Sequence, residues 1–142
     1  MGVMRVYSLY RDKTWLWPNG GAYFARDGRF EAWSEKGKKK AASYADGRWW
    51  ASRTNGRMCF QAIWRTAKWA APALTCFDHR AYGYLIYQRK LPAGKWYEFR
   101  TWPIVASDEF HTLRTGDLAT KNVNRVRARL FRAEFATKRA PS

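Results

Sequence analysis

Apolar and aromatic positions in the first two-thirds of the chain fall into short runs of period two, broken at close intervals by turn residues. The runs occupy residues 13–17, 22–26, 29–34, 44–52, 57–64, 73–79, 84–89 and 95–101. They are rich in β-branched and aromatic side chains, which suit a pleated, half-buried surface. The breaks are Asn19-Gly20-Gly21, Asp27-Gly28, Gly37, Asp46-Gly47, Asn55-Gly56, Pro72, Tyr82-Gly83 and Pro92-Ala93-Gly94. Asn-Gly and Asp-Gly reach positive φ at little cost and so favour the turns that match strand twist. Eight such strands predict a mainly β chain, a single antiparallel meander that is lipocalin-like and closes, or nearly closes, into a barrel. Within 57–64, Met58, Phe60, Ala62 and Trp64 share one face while Cys59, Gln61 and Ile63 share the other. The first strand is apolar on both faces and is expected to be covered twice or to face a cavity. Residues 1–10 alternate between polar and apolar and receive no element.

After Pro103 the period becomes helical. Ser107 is a candidate N-cap for a short helix reaching about Leu113, with Asp108 and Glu109 in its first turn. Gly116 follows as a C-cap and Asp117 as a second N-cap. Ala119, Val123, Val126 and Leu130 then form one apolar stripe, with Lys121, Arg125, Arg129 and Arg132 opposite. This pattern predicts a C-terminal amphipathic helix laid on the barrel with its basic face outward. With no repeat or low-complexity linker, the chain reads as one domain over 1–142. Its parts are the meander at 9–102, the helical segment at 107–132 and a basic tail at 133–142.

Charge adds what the pattern does not. The 142 residues carry 27 Lys and Arg against 11 Asp and Glu, a net +16, together with nine Trp, eight Tyr and eight Phe. That balance implies an anionic partner, whether acidic glycan, lipid headgroup or nucleic acid. Lys38, Lys39 and Lys40, with Arg48 and Arg57, are a candidate anion contact. Trp15, Trp17, Trp33, Trp50 and Trp69 exceed what one small core needs and are expected to line a concavity, where flat rings stack on sugars, bases or acyl chains. The longest apolar stretch, 69–74, is too short to span a bilayer. Residues 1–10 contain no secretory signal, so a periplasmic or secreted location requires a removed leader; otherwise the reading is cytoplasmic.

Catalytic chemistry finds little support. Nucleophile-elbow, zinc-protease, phosphate-loop and dinucleotide motifs are all missing from the sequence. Neighbouring strand residues point to opposite faces, so Asp78 is not expected to orient His79. A small hydrolase using His79 is therefore the weakest reading, and neither a metal nor a cofactor is expected. Glu31, Glu35 and Glu98 are expected to answer neighbouring cations. Cys59 and Cys76 fall roughly opposite each other on one hairpin, which leaves open a disulfide or two buried thiols.

The ordered segments Leu9-Tyr10-Arg11-Asp12-Lys13-Thr14-Trp15-Leu16-Trp17, Gly20-Gly21-Ala22-Tyr23-Phe24 and Asp27-Gly28-Arg29-Phe30-Glu31-Ala32-Trp33 are joined by Ala45-Asp46-Gly47-Arg48-Trp49-Trp50. Met58-Cys59-Phe60, Thr75-Cys76-Phe77-Asp78-His79-Arg80 and Gly94-Lys95-Trp96-Tyr97-Glu98-Phe99 complete the series. In order and spacing this set resembles the bacterial family known as domain of unknown function 995, found mainly in small alphaproteobacterial envelope proteins. The likeness covers about residues 9–99. It implies an exported protein and, with that, a bonded Cys59–Cys76 pair, and it carries no catalytic residues. The expectation is a non-enzymatic envelope binding or structural protein, its aromatic concavity and basic surface meeting an acidic polysaccharide, a lipid headgroup or an anionic assembly. The alternative is a cytosolic nucleic-acid-binding module or the basic subunit of a nucleoprotein complex.

Overall fold

The structure, a computed structural model, describes residues 1–35 and 42–139, with side chains described as far as residue 132. Eight strands follow the expected order: β1 (Lys13–Trp17), β2 (Gly20–Phe24), β3 (Arg29–Glu35), β4 (Ala42–Ala51), β5 (Met58–Arg65), β6 (Ala70–Tyr82), β7 (Leu85–Lys90) and β8 (Tyr97–Arg100). A short β9 (Leu113–Thr115), not expected from sequence, pairs with β1, and all nine strands form one antiparallel sheet ordered β8-β7-β6-β5-β4-β3-β2-β1-β9. The turn chemistry behaves as expected at Asn55 and Gly56, whose φ angles are 56° and 60°. Asp46-Gly47 does not turn. It lies within β4, where a Cβ on Gly47 would overlap the Gln61 carbonyl of β5.

The sheet curls into a half-barrel. A 3-10 turn at Glu109–Thr112 fills the gap between its two edges, packing on both β1 and β8. Trp15 Nε1 donates to Glu109 Oε1 at 2.8 Å, and the Phe110 ring meets Phe99 at 6.4 Å. Asp108, rather than Ser107, caps this turn by accepting from His111 N at 3.1 Å. Only four residues separate that cap from β9, too few for the expected α-helix.

The concave face is solid. Phe24, Phe30, Trp49, Met58, Ile86 and Phe99 meet there with Val6, Leu9 and Tyr10 of a helix that sequence reading missed, α1 (Val3–Tyr10). Each large apolar side chain so buried contributes about 1.5–3 kcal/mol. The second helix, α2 (Thr120–Arg139), lies on the convex side against β3 and β4. Asp117 caps it as expected, accepting from Ala119 N at 2.8 Å and Thr120 N at 2.9 Å. Ala119, Val123 and Val126 are buried against Trp33 and Ala42, with Leu16, Tyr23, Tyr44 and Leu130 at the margin. Strand β1 is thus covered twice, since Trp15 and Trp17 join the concave cluster and Leu16 the convex one. The helix runs seven residues past 132, because nothing in the sequence breaks it before Pro141.

Cys59 and Cys76 face each other in the β5–β6 register and are bonded. Closing a loop of sequence separation 17 stabilises by roughly 3 kcal/mol in the chain-entropy account. Replacing both residues by Ala should therefore lower the unfolding free energy in a urea melt by about 2–4 kcal/mol. An unchanged midpoint would deny the bond a stabilising role.

Candidate functional site

The sequence-nominated aromatics do not line a common cavity. Trp15 and Trp17 pack into the concave cluster and Trp33 lies under α2, while Trp50 and Trp69 remain 41 % and 55 % exposed at different places. With α1 seated in the concave face, the expected aromatic concavity is filled. Lys38, Lys39 and Lys40 lie outside the described residues. Arg48 donates to the Asp27 carbonyl at 3.2 Å, and Arg57 pairs with Asp78 at 2.8 Å. On α2, Arg125 and Arg129 share the single carboxylate of Glu35, which offsets one of their two charges, while Lys121, Arg125 and Arg132 are exposed.

His79 belongs to the interior. Its Nδ1–H donates to the Gly56 carbonyl at 2.7 Å, and its Nε2 accepts from the Tyr10 hydroxyl at 2.6 Å. Gln88 Nε2 donates to the Tyr10 oxygen at 2.7 Å, and Tyr97 donates to Gln88 Oε1. The result is a directed chain of hydrogen bonds from exposed Tyr97 to the Gly56 carbonyl. Burial pushes the His79 pKa down to about 4, against the opposing pull of the Gly56 bond and Asp78, and pushes Tyr97 up to about 12. The imidazole is thus neutral, enclosed and hydrogen-bonded at both nitrogens. Asp78, on the opposite face as expected, is also buried and takes Arg57 and, at 3.5 Å, Arg89.

The concentration of unspent chemistry lies on the convex side of β6–β8, which α2 does not reach. Trp96, in the β7–β8 connection, folds back over two guanidinium groups, Arg80 at 4.5 Å and Arg89 at 4.9 Å from its ring centroid. Arg89 shares the buried Asp78, yet its Nε is buried with no hydrogen-bond partner among the described residues. Arg80 is exposed and, among the described residues, has no carboxylate partner. Alongside runs an open groove of about 490 Å³ lined by Arg80, Tyr82, Leu85, Tyr87 and Trp96. A smaller one of about 190 Å³ adjoins it through Arg80, Arg89 and Trp96. Flat rings beside a free guanidinium can take a planar or ring-shaped anion. Sequence reading nominated none of Arg80, Arg89, Tyr82 and Tyr87. The available signal was cross-strand: alternation puts Asp78, Arg80, Tyr87 and Arg89 on one face once β6 and β7 are paired.

A family model described as "Protein of unknown function (DUF995)" matches residues 1–119. Neither a curated protein nor a solved structure matches the chain. Among the described residues, no helix is long and apolar enough to cross a membrane, and no group of three or more His, Cys, Asp or Glu is placed to hold a metal.

The enclosed imidazole has a consequence for stability. The His79 pKa is depressed in the fold, so the unfolded chain binds a proton between about pH 6.5 and about 4 that the folded chain does not. Its contribution is full above about 6.5 and falls by about 3 kcal/mol as the pH drops to about 4. Urea melts across this range on wild type and His79→Gln should show the decline in wild type and a flatter profile in the variant. Parallel profiles would remove His79 as the cause.

Proposed function

We propose that this chain, which belongs to the DUF995 family, is a non-enzymatic binding protein of the bacterial envelope that holds an acidic glycan on the convex face of β6–β8. The observation that carries this reading is Arg80, a cation without a carboxylate partner among the described residues, stacked on Trp96 beside the groove of Tyr82, Leu85 and Tyr87. Aromatic faces suit the apolar face of a pyranose ring, and a guanidinium fork suits a uronate carboxylate. Arg89, partly exposed against the same Trp96 ring, adds a second positive charge beside the groove. A periplasmic location is supported by the Cys59–Cys76 bond, because such bonds persist in oxidising compartments. That same bond disfavours the cytosolic nucleic-acid alternative, although bases and phosphates would use similar rings and cations.

The test is a calorimetric titration of oligogalacturonate, an uncharged cello-oligosaccharide of equal length and a single-stranded oligonucleotide at physiological salt. Oligogalacturonate should bind and the neutral sugar should not. Arg80→Ala combined with Trp96→Ala should weaken binding at least ten-fold, the loss of about 1.4 kcal/mol or more. Equal affinity in the double variant would sink this reading, and tighter binding of the oligonucleotide would replace it with the nucleic-acid one.

A further inference from the structure

A second surface, outside the groove, has a different chemistry. Between β8 and the 3-10 turn the chain projects Trp102, Ile104 and Val105, which are 67 %, 57 % and 46 % exposed. Every residue from 102 to 107 is exposed. This projection has a fixed base. Thr101 donates from N and Oγ1 to Asp108 Oδ2 at 3.0 and 3.2 Å, and Asp108 N returns a bond to the Val105 carbonyl at 3.2 Å. The Trp102 ring leans edge-on against Tyr84 at 5.8 Å, leaving most of the indole outside. Three large apolar side chains are thus held away from the core rather than folded into it.

The base of this tip is cationic. The Arg100 guanidinium lies 4.1 Å over the Tyr84 ring and 5.1 Å over Phe110, its Nε donating to the Tyr84 carbonyl at 2.9 Å. Arg5 reaches from α1 to the adjoining Gly83 carbonyl at 2.8 Å. Lys13 docks on the carbonyls of Ser8 and Leu9. Among the described residues, none of Arg5, Arg11, Lys13 and Arg100 has a carboxylate partner. These cations are close enough to disfavour one another's charge: Lys13 is lowered by burial, then by Arg100 and Arg11, and Arg100 by burial and by Arg5. Asp12, between Arg11 and Lys13, is taken by Arg26 at 2.8 Å, and Asp108 is bound to Thr101 and to His111 at 2.5 Å.

We infer that the Trp102–Ile104–Val105 tip, with Arg5 and Arg100 at its base and the cations beyond them, docks the protein on an anionic lipid surface. A projecting aromatic and aliphatic tip suits a fluid interface, which deforms around it, better than a preformed protein pocket. Trp is favoured at the depth of the headgroups. The cations then meet lipid phosphates, each adding about five-fold to the partition coefficient near an anionic surface. Such contact is peripheral and reversible, because three apolar side chains bury far less than a spanning helix.

The test is sedimentation of the full chain with vesicles of phosphatidylglycerol and phosphatidylcholine, with phosphatidylcholine vesicles as comparison. Wild type should partition onto the anionic vesicles at least ten-fold more strongly than onto the neutral ones. Trp102→Ala combined with Ile104→Ser should lose at least ten-fold of that partition with an unchanged melting temperature, since both side chains are exposed. Arg5→Gln should lose about five-fold. Arg80→Ala combined with Trp96→Ala should leave vesicle binding intact, which separates this surface from the glycan groove. Undiminished anionic binding by the tip variant would overturn the inference and assign the interaction to charge elsewhere, such as Lys121 and Arg132 of α2. A wild-type dimer in the absence of lipid, dissolved by the tip variant, would overturn it by giving the tip to a second copy.

Discussion

Tyr10 carries a hydroxyl into the concave side of the curled sheet, and the arrangement of the rest follows from how that hydroxyl is satisfied. It donates to His79 on β6 and accepts from Gln88 on β7, tying α1 to two strands far from it in sequence. Leaving a buried hydroxyl unpaired costs about 1–3 kcal/mol, so α1 is positioned by polar geometry as well as by Val6 and Leu9. The same requirement explains the enclosed imidazole. His79 must be neutral for Nε2 to accept, and its Nδ1–H is directed at Gly56, where the chain turns with positive φ. Once α1 is seated, its side chains fill the concave face among the described residues, and the groove of Arg80, Tyr82 and Trp96 lies on the outer surface.

On that outer surface the two halves of the sheet differ. Over β1 to β4, α2 covers the convex face and two of its arginines settle on Glu35. Among the described residues, no helix packs across the convex face of β6–β8. The buried Asp78 there takes Arg57 and Arg89, but Arg80, with no carboxylate partner among the described residues, stacks on Trp96. A net charge of +16 is therefore unevenly spent: where acids are in reach it locks elements together, and where they run out it leaves cations beside aromatic rings.

The strands were legible because their side chains report burial directly. Met58 and Ala62 are enclosed while Gln61 and Ile63 are exposed, as period two requires. The α2 stripe was legible for the same reason at period 3.6. Helix α1 was missed although Val6, Leu9 and Tyr10 stand at helical spacing, because eight residues is short for a helix and its stability comes from docking. β9 was missed because three residues carry no period and only β1 defines them. The candidate site was the least legible part. Tryptophan count drew attention to Trp15, Trp17 and Trp33, which are packing, whereas Trp96 gains its meaning from Arg80 and Arg89 on two other strands. Such a cluster exists only after strand register is known, and β7–β8 even contains a register shift.

The groove and the exposed tip are not independent in space. The β6–β7 turn joins them within three residues: Tyr82 lines the groove, the Gly83 carbonyl holds Arg5, and Tyr84 supports both Arg100 and Trp102. A short turn between paired strands has little freedom, so contact of the tip with a lipid surface would fix the groove at a set height and orientation above it. A basic, aromatic groove so held beside an anionic bilayer would meet polymers that lie along that surface. Ordering of the tip by Asp108 then matters to the groove as well, since a loose tip would anchor the chain without orienting it.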